Sequence, residues 1–309
     1  MRITSRKTKT NGTRCGRIRF VKQLKLIQLF CAVCHHYNTT LAAEVQRLSN
    51  NFRPKFTDEE CITVYLFGIA EGKFEVKAIH QFIKDYWSEW FPALPSYQKF
   101  SKRINFLAPA FKTLFGLLLS EGAIDTSHID HLMDSMPIIV AGEARSGSAK
   151  TAKGFCDKGY CSSKKMYYYG VKLHVLGQKQ YKTLPHIRMA CVERASESDI
   201  TVAKSWLRPV WNMDIYADKI YADKTWAEEL ELRNVRVFTP VKKKKGQENL
   251  DAADTLYSAA VSRVRQAIES FFNWIQDKTH IQSASKIRSI HGLIAFIFAR
   301  LAMLAFFYW

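Results

Sequence analysis

Three acidic residues stand where a folded domain can bring carboxylates together for phosphodiester chemistry. Asp134 lies on a strand-like run, Asp218 directly follows the short strand 214–217, and Glu269 lies on a late helix. Cutting or joining a phosphodiester needs an activated attacking oxygen and a stabilised leaving oxygen, and two Mg²⁺ ions about 3.5–4 Å apart provide both. Mg²⁺ prefers oxygen ligands, so carboxylates suit it better than His or Cys. Acids that a fold brings together in this way are candidate ligands for two Mg²⁺ ions, with Mn²⁺ as the other candidate; for each acid taken alone, the alternative is a solvated surface group.

A basic residue accompanies the last of these acids. Arg265 precedes Glu269 by four residues, so both side chains project from the same side of a helix. An Arg in that position can orient the carboxylate or clamp a phosphate of a nucleic acid. The alternative is an ordinary surface pair worth roughly 0.3 kcal/mol.

Two neighbouring acids compete for the same roles. Asp223 is close to Asp218 in the sequence, and Asp130 is close to Asp134. Asp218 is favoured because it directly follows a strand, where a side chain leaves the edge of the sheet. The alternatives remain open at this point.

Several ordered motifs resemble those of the DDE transposases of bacterial insertion sequences, and in particular insertion-sequence family nine-eight-two. They are Asp134-Ser135-Met136-Pro137, Asp218-Lys219-Ile220-Tyr221 and residues 56–60, 90–94, 159–164, 169–174 and 265–272. The resemblance covers about residues 50–300. It implies an RNase H-like catalytic fold, and it carries Asp134, Asp218 and Glu269 over as the metal-binding residues of a DDE triad.

The chain departs from that family's pattern at two positions. Ile220 stands where a Gly is usual, so the turn after Asp218 is expected to differ. A related pattern places a Lys two helical turns after the Glu, but this chain has Gln276 there. Lys278 is the nearby candidate to replace that Lys.

The order of predicted elements indicates an α/β domain behind a helical one. Residues 1–16 are expected to form a basic tail, residues 17–121 a helical DNA-binding domain, and residues 122–309 the RNase H-like domain. The last of these should contain a mixed five-stranded sheet with flanking helices, with residues 142–165 as a loop. The predicted strands are 131–141, 166–176, 183–192, 214–217 and 235–239.

Local patterns place the helices of the first domain. Apolar residues recur at three- and four-residue steps from Phe20 to Phe30, which predicts a helix over residues 17–37. Thr57-Asp58-Glu59-Glu60 is a capping box that should begin the next helix. Residues 96–107 are either a recognition helix for DNA or a solvated basic face, and the sequence favours neither.

The net charge indicates a polyanionic partner. The chain has 46 Lys and Arg against 28 Asp and Glu, a formal charge of +18. Each basic side chain that neutralises a phosphate releases a condensed counterion, so nucleic acid is the leading partner and an anionic membrane surface the second. The candidate DNA contacts are Arg265, Lys164, Lys165, Lys172, Lys219 and Lys278.

Two other features of the sequence are given simpler interpretations. Cys31 and Cys34 form a CxxC, but no second pair completes a zinc ligand set. The cysteines are therefore expected to be reduced, as in a cytosolic protein. The apolar run 292–309 is short for a membrane span and carries Arg300 in its middle. It is predicted to be a buried terminal helix, with no membrane partner.

The resemblance thus implies a transposase that binds double-stranded DNA at terminal inverted repeats and joins it to target DNA. A homodimer on paired ends is expected because two ends must be joined, and the protein should be cytoplasmic and nucleoid-associated. The rival hypotheses are a two-metal nuclease without strand transfer, an inactive transposase-derived DNA-binding protein, and a basic protein at a membrane.

Overall fold

The computed structural model describes residues 12–47, 54–122 and 130–308 of the chain. The chain separates into two compact units, Met1–Ala110 and Phe111–Trp309. The predicted domain boundary at residues 121 and 122 lies at the far end of the helix Ala108–Glu121, which belongs mostly to the second unit. Most of the predicted basic tail, residues 1–11, lies outside the described residues.

The described part of the first unit is helical. Its first helix begins at Gly12, earlier than predicted, and continues through a π-helical turn, Tyr37–Leu41, into a short helix. The fourth helix ends at Tyr86, and the chain turns there. The helices are α1 Gly12–His36, α2 Ala42–Glu44, α3 Asp58–Ala70, α4 Val76–Tyr86, α5 Tyr97–Phe106 and α6 Ala108–Glu121.

The predicted capping box at the start of α3 is confirmed. The Thr57 hydroxyl accepts a hydrogen bond from the Glu60 amide at 3.2 Å, and the Thr57 amide donates to the Glu60 carboxylate at 2.7 Å. The amides of Thr57 and Glu60 would otherwise have no hydrogen-bond partner at the start of the helix. This cap fixes where α3 begins, and the rest of that helix is almost entirely buried.

Asp58, the first residue of α3, joins three segments of the first unit. Its side chain is 4% exposed and accepts hydrogen bonds from Arg47 at 2.6 Å, from Arg103 Nε at 2.6 Å and from the Tyr37 hydroxyl at 2.9 Å. Burial raises the pKa of Asp58, but the hydrogen bonds from Arg103 and Arg47 outweigh it and hold the pKa below its usual value. Arg103 of α5 therefore belongs to a buried ion-pair network, whereas Lys102 of the same helix is exposed.

The helix α1 forms as its periodicity predicts, but the face that is buried differs from the predicted stripe. Phe20 is 65% exposed, and the other residues of that stripe are exposed too. The contacts of α1 with α3 instead bury the other side of the helix. The buried residues are Leu26, Leu29 and Val33, and the exposed ones are Phe20, Leu24, Ile27 and Phe30.

A mixed sheet forms the centre of the second unit. Its central strand pairs antiparallel with one neighbour, β3, and parallel with the other, β5, which in turn pairs parallel with β6. The outer edge of β3 carries β2 along its first half and β4 along its second half. The strands are β1 Asp130–Ala141, β2 Asp157–Cys161, β3 Met166–Gln178, β4 His186–Arg194, β5 Met213–Ala217 and β6 Val235–Phe238.

This arrangement of strands, with helices on both faces, confirms the predicted RNase H-like α/β fold. In the described residues the sheet has six strands, and all five predicted strands are among them. The additional strand, β2, lies in the segment predicted to be a loop, and it forms because residues 157–161 pair with the start of β3. The pattern of those residues is too short and too polar to indicate a strand by itself.

Four further helices belong to this unit. The two short helices, Asp199–Trp206 and Lys224–Glu231, pack on one face of the sheet. The core around them includes Met133 of β1, Tyr221 and Trp226. The long helix that carries Glu269 contacts β1 and β5. These helices are α7 Asp199–Trp206, α8 Lys224–Glu231, α9 Ala252–Thr279 and α10 Ile290–Tyr308.

The terminal helix α10 is buried in the second unit, as predicted. Among the described residues it is the one helix long and apolar enough to cross a membrane by length and composition, yet 72% of its apolar window is buried inside the protein. Arg300 is fully buried and donates hydrogen bonds to the carbonyl oxygens of Thr279 at 2.9 Å and Phe296 at 3.0 Å. A charged side chain satisfied by the protein's own backbone is the arrangement expected of a core helix.

We expect Gly170→Ala to destabilise the sheet. A Cβ at Gly170 of β3 would lie 2.0 Å from the carbonyl oxygen of Ile138 in β1, so one of the two central strands must shift. The free energy of unfolding should fall by about 1–3 kcal/mol, measured by chemical denaturation. Gly142→Ala is the control because its Cβ meets nothing within 4 Å. Equal denaturation midpoints for the two variants would contradict the prediction.

Candidate active site

The pairing of β1 with β5 brings Asp134 and Asp218 to the same level of the sheet. Met133 and Ala217 are partners in the parallel register of these strands. Asp134 is the next residue on β1, and Asp218 is the first residue after β5. After Asp218 the chain leaves the sheet in a single 3-10 turn, because the Asp218 carboxylate accepts a hydrogen bond from the Lys219 amide at 2.7 Å and caps that turn. The position of both carboxylates therefore follows from strand pairing and a local cap.

Arg265 connects these two aspartates with Glu269 on α9. Its Nη2 lies 3.3 Å from Asp134 Oδ2 and 3.0 Å from Glu269 Oε1, and its Nη1 lies 3.5 Å from Asp218 Oδ1. One guanidinium thus contacts all three acids, which come from the strand β1, the residue that follows β5, and the helix α9. The predicted acids converge on a common point.

The site is deeper at one end than at the other. The Asp134 side chain is 20% exposed, that of Asp218 is 40% exposed and that of Glu269 is 58% exposed. The Arg265 side chain is only 14% exposed. The site is therefore a recess with Asp134 at its base and Glu269 at its rim.

The electrostatic environment of Asp134 disfavours its charged form. Burial raises the pKa of the Asp134 carboxyl to about 6, although Arg265 and the Ser135 amide lower it, and the Asp218 carboxylate raises it further. The Ser135 amide donates to Asp134 Oδ1 at 2.8 Å. In the absence of metal, the folded protein therefore holds a proton on Asp134 more tightly than an unfolded chain does.

We expect Asp134→Asn to stabilise the metal-free protein at neutral pH. An aspartate in an unfolded chain has a pKa of about 3.9, whereas that of Asp134 is about 6 in the folded protein. The folded state binds more protons between these values, so its free energy of unfolding falls as pH rises through that window, by roughly 2–3 kcal/mol. An asparagine side chain does not titrate, so in Asp134→Asn this contribution to the pH dependence of the free energy of unfolding is absent.

Denaturant titrations in EDTA at pH 4 and pH 7.5 test this expectation. At pH 7.5 the variant should unfold at a higher denaturant concentration than the natural chain. At pH 4 the difference between their unfolding midpoints should be smaller. A natural chain more stable than Asp134→Asn at pH 7.5 would contradict it.

The residues of the site have the chemistry of a divalent-cation site, but Arg265 separates them. Three carboxylates against one guanidinium leave excess negative charge, and carboxylate oxygens are the ligands that Mg²⁺ and Mn²⁺ prefer. As the side chains stand, the described residues contain no group of three or more His, Cys, Asp or Glu side chains close enough to hold a metal. The donor set therefore fits such ions provided that Arg265 moves out of the centre.

The rival acids are engaged elsewhere. Asp223 caps α8 by accepting from the Trp226 amide at 2.9 Å and pairs with Lys204 at 2.7 Å. Asp130 lies at the start of β1, and its carboxylate is 3.6 Å from the Lys179 amine. Among the described contacts neither acid reaches Arg265, so the geometry favours the original pair of aspartates.

The predicted DNA contacts divide into exposed and engaged lysines. Lys164, Lys165 and Lys219 are exposed, although the Lys164 amine donates a hydrogen bond to Gln282 Oε1 at 2.7 Å. Lys219 directly follows Asp218. Lys172, by contrast, is largely buried and donates to the Asp199 carboxylate and to the Glu197 carbonyl oxygen, each at 2.8 Å. These contacts favour a structural role for Lys172 over a phosphate contact.

Lys278 and Gln276 project from opposite sides of α9. Lys278 follows Glu269 by nine residues, and at 100° per residue it projects from the opposite side of α9. Its amine lies over the Tyr308 ring, 5.6 Å from the centroid. Gln276 is on the Glu269 side of the helix, where its side chain accepts a hydrogen bond from the Gln282 amide at 2.9 Å.

A buried polar layer beside Asp134 was not predicted from the sequence. The Ser135 hydroxyl donates to the Asp199 carboxylate at 3.1 Å, and His174 is the strand partner of Ser135. Burial lowers the pKa of His174 to about 4, so its ring is neutral at pH 7. Asp199 resembles any acid in the first turn of a helix, and only the fold reveals that it faces the sheet. The layer supports the strand that carries Asp134.

Comparison with known proteins identifies a family. A family model described as a transposase DDE domain matches residues 130–306, more than half of the chain. No curated protein and no solved structure gives a significant match. The matched range contains β1, β5 and α9, and with them Arg265 and the three acids around it.

Proposed function

Because the chain belongs to the family of transposases with a DDE domain, we propose that it cuts and joins DNA at the ends of a mobile element. Asp134, Asp218 and Glu269 would be its catalytic residues. The observation that carries this assignment is the contact of one guanidinium with all three carboxylates, each from a different element. The rival acids make no such contact among the described residues.

Each residue of the site has a distinct part in this proposal. Divalent cations held by the three carboxylates would stabilise charge on the attacking and leaving oxygens of the phosphodiester. Asp134 provides the rigid base of the site, because it lies in the middle of the central strand. Glu269 and Asp218 are more exposed, and the DNA strand would enter from their side.

The proposed chemistry proceeds in two displacements. In the first, water attacks the phosphorus at the element's end, and the 3′-oxygen leaves as a free hydroxyl. In the second, that 3′-hydroxyl attacks a phosphorus of target DNA in line and displaces a 3′-oxygen of the target. Neither displacement needs a covalent bond between protein and DNA, so no nucleophilic side chain is assigned.

Binding of DNA would use both the charge of the chain and its exposed lysines. The formal charge of +18 favours a polyanion. Lys164, Lys165 and Lys219 are exposed in the unit that carries the site. We propose that the helical residues 17–121 bind the terminal repeats, and that the protein acts in the cytoplasm, bound to the nucleoid.

A cleavage and joining assay tests this function. Double-stranded DNA from beside the gene would be incubated with the full chain and Mg²⁺, with labelled target DNA present. Joined product supports a transposase, whereas cut product alone indicates a nuclease of the same fold. Binding without cutting or joining indicates an inactive descendant that retains the three acids.

Two copies of the chain are proposed to assemble on a pair of ends, because both ends must be joined in one event. Light scattering of the protein with paired-end DNA should give the mass of two chains and two ends. A species with one chain on two ends would contradict the dimer without affecting the assignment of the active site.

A further inference from the structure

The guanidinium of Arg265 lies between the three carboxylates of the site. We infer that Arg265 is the counter-ion of the metal-free site and that divalent cations displace it when they bind. This inference rests on the proposed function for the identity of the metal-binding residues. It assigns Arg265 a role that precedes any contact with DNA.

The contacts of Arg265 are those of a replaceable ion. Its three distances to carboxylate oxygens are 3.0, 3.3 and 3.5 Å, whereas strong charge-assisted hydrogen bonds measure about 2.7–2.9 Å. Each acid receives one contact, and none receives the forked pair that makes Arg–carboxylate bonds strong. The buried Arg265 Nε has no hydrogen-bond partner among the described residues. The guanidinium is enclosed by the site but is not tightly bound in it.

The balance of charge favours replacement by a divalent ion. Three carboxylates and one guanidinium leave an excess of two negative charges when Asp134 is ionised. That excess is partly desolvated, because the Asp134 side chain is 20% exposed and the Arg265 side chain is 14% exposed. Charges with little water around them interact more strongly, so a divalent cation gains more here than at the surface.

Arg265 and the cations cannot occupy the site together. Mg²⁺ binds oxygen ligands at about 2.0–2.1 Å, which requires the carboxylates to approach a common point. With the guanidinium between them, no three acids in the described parts of the chain are close enough to hold a metal. Loading of the site therefore requires Arg265 to leave its centre.

The displaced side chain stays close to the site. Arg265 and Glu269 lie on the same side of α9, and Glu269 is at the rim of the recess. A guanidinium released toward that rim is free to pair with a DNA phosphate. Metal loading thus prepares Arg265 for the substrate.

A titration with Mn²⁺ in the absence of DNA tests this inference. The full chain, stripped with EDTA and then freed of it, would be compared with Arg265→Gln and Arg263→Gln by isothermal titration calorimetry. Arg265→Gln should bind Mn²⁺ at least about tenfold more tightly than the natural chain, because the competing cation is gone. Arg263→Gln, an exposed position on the same helix, should bind Mn²⁺ like the natural chain. If Arg265 merely oriented the carboxylates, its loss would weaken binding instead.

Thermal unfolding provides the second readout. Without metal, Arg265→Gln should unfold at a lower temperature than the natural chain, because the three carboxylates of its site repel one another. Addition of Mn²⁺ should raise the melting temperature of Arg265→Gln by more than it raises that of the natural chain. Arg265→Lys, which keeps one charge but lacks the fork, should bind Mn²⁺ with intermediate affinity and serves if the Gln variant does not fold.

Two results would overturn the inference and are distinguishable. Equal or weaker Mn²⁺ binding by the folded Arg265 variants would remove the counter-ion role and leave the proposed function standing. No Mn²⁺ binding by any of the chains would remove the metal site, and with it both proposals.

Discussion

Asp134→Asn, Asp218→Asn and Glu269→Gln should each lower metal-dependent cleavage and joining of DNA by at least about 10³-fold. Charge stabilisation by bound cations contributes several kcal/mol to a phosphodiester transition state, and each 1.4 kcal/mol corresponds to a factor of ten in rate. Asn and Gln keep the shape of Asp and Glu, but their neutral amides are poorer ligands for a divalent cation. DNA binding, measured by gel shift at fixed salt, should persist in all three variants.

Two matched variants control for a general loss of charge. Asp130 lies on the same strand as Asp134, and Asp223 lies beyond the 3-10 turn that Asp218 caps. Asp130→Asn and Asp223→Asn should retain activity within about threefold, because neither acid contacts Arg265 in the described structure. A full loss of activity in Asp223→Asn, with Asp218→Asn active, would show that the site is built on the other aspartate.

Asp58→Ala should destabilise the first unit by about 3–5 kcal/mol. The variant removes the carboxylate shared by Arg47, Arg103 and the Tyr37 hydroxyl, and it leaves two poorly solvated guanidinium groups without their partner. Hydrogen–deuterium exchange is a suitable measurement because it reports each segment separately. Peptides of α3 should lose protection, while peptides of β1 should exchange as in the natural chain.

The contribution of Asp58 also depends on pH. Because its pKa in the folded protein is below the usual value, its stabilising effect is present above the pKa of an unfolded aspartate, about 3.9, and is lost as pH falls below it. Glu59→Ala, the next residue in the same helical turn, is the matched control and should change protection of α3 little. Unchanged exchange of α3 in Asp58→Ala would contradict the importance of this network.

The fold of the second unit was largely predictable because its strands carry a strong local signal. β-branched and aromatic residues marked β1, β3 and β5, and the order of elements matched an α/β domain. The strand β2 was missed because it depends on pairing with β3 and not on its own composition. Tertiary pairing decides the structure of such short segments.

The helix α1 shows a different limit of sequence patterns. Its apolar spacing predicts a helix correctly, yet Phe20 and Leu24 are exposed while Leu26 and Leu29 are buried. Two apolar stripes run along the same helix, and hydrophobic periodicity does not say which one the rest of the unit covers. The packing of α3 against α1 determines which of the two stripes is buried.

For the candidate site, the sequence provided the acids but not their arrangement. Motif order pointed to Asp134, Asp218 and Glu269, and i,i+4 spacing placed Arg265 beside the last of them. That one guanidinium contacts all three acids follows only from strand pairing and the packing of α9. Spacing along the sequence likewise did not show that Lys278 projects from the other side of α9, where its amine lies over the Tyr308 ring.

The most direct test of the central claim is a change of metal preference. Asp218→Cys replaces a hard oxygen ligand with a softer thiolate, which disfavours Mg²⁺ more than Mn²⁺. If Asp218 binds the catalytic metal, the variant will be inactive in DNA cleavage with Mg²⁺ and will regain activity with Mn²⁺, whereas Asp223→Cys will cleave equally well with either ion. Full activity of Asp218→Cys with Mg²⁺, or a switch in preference in Asp223→Cys, would contradict the proposed site.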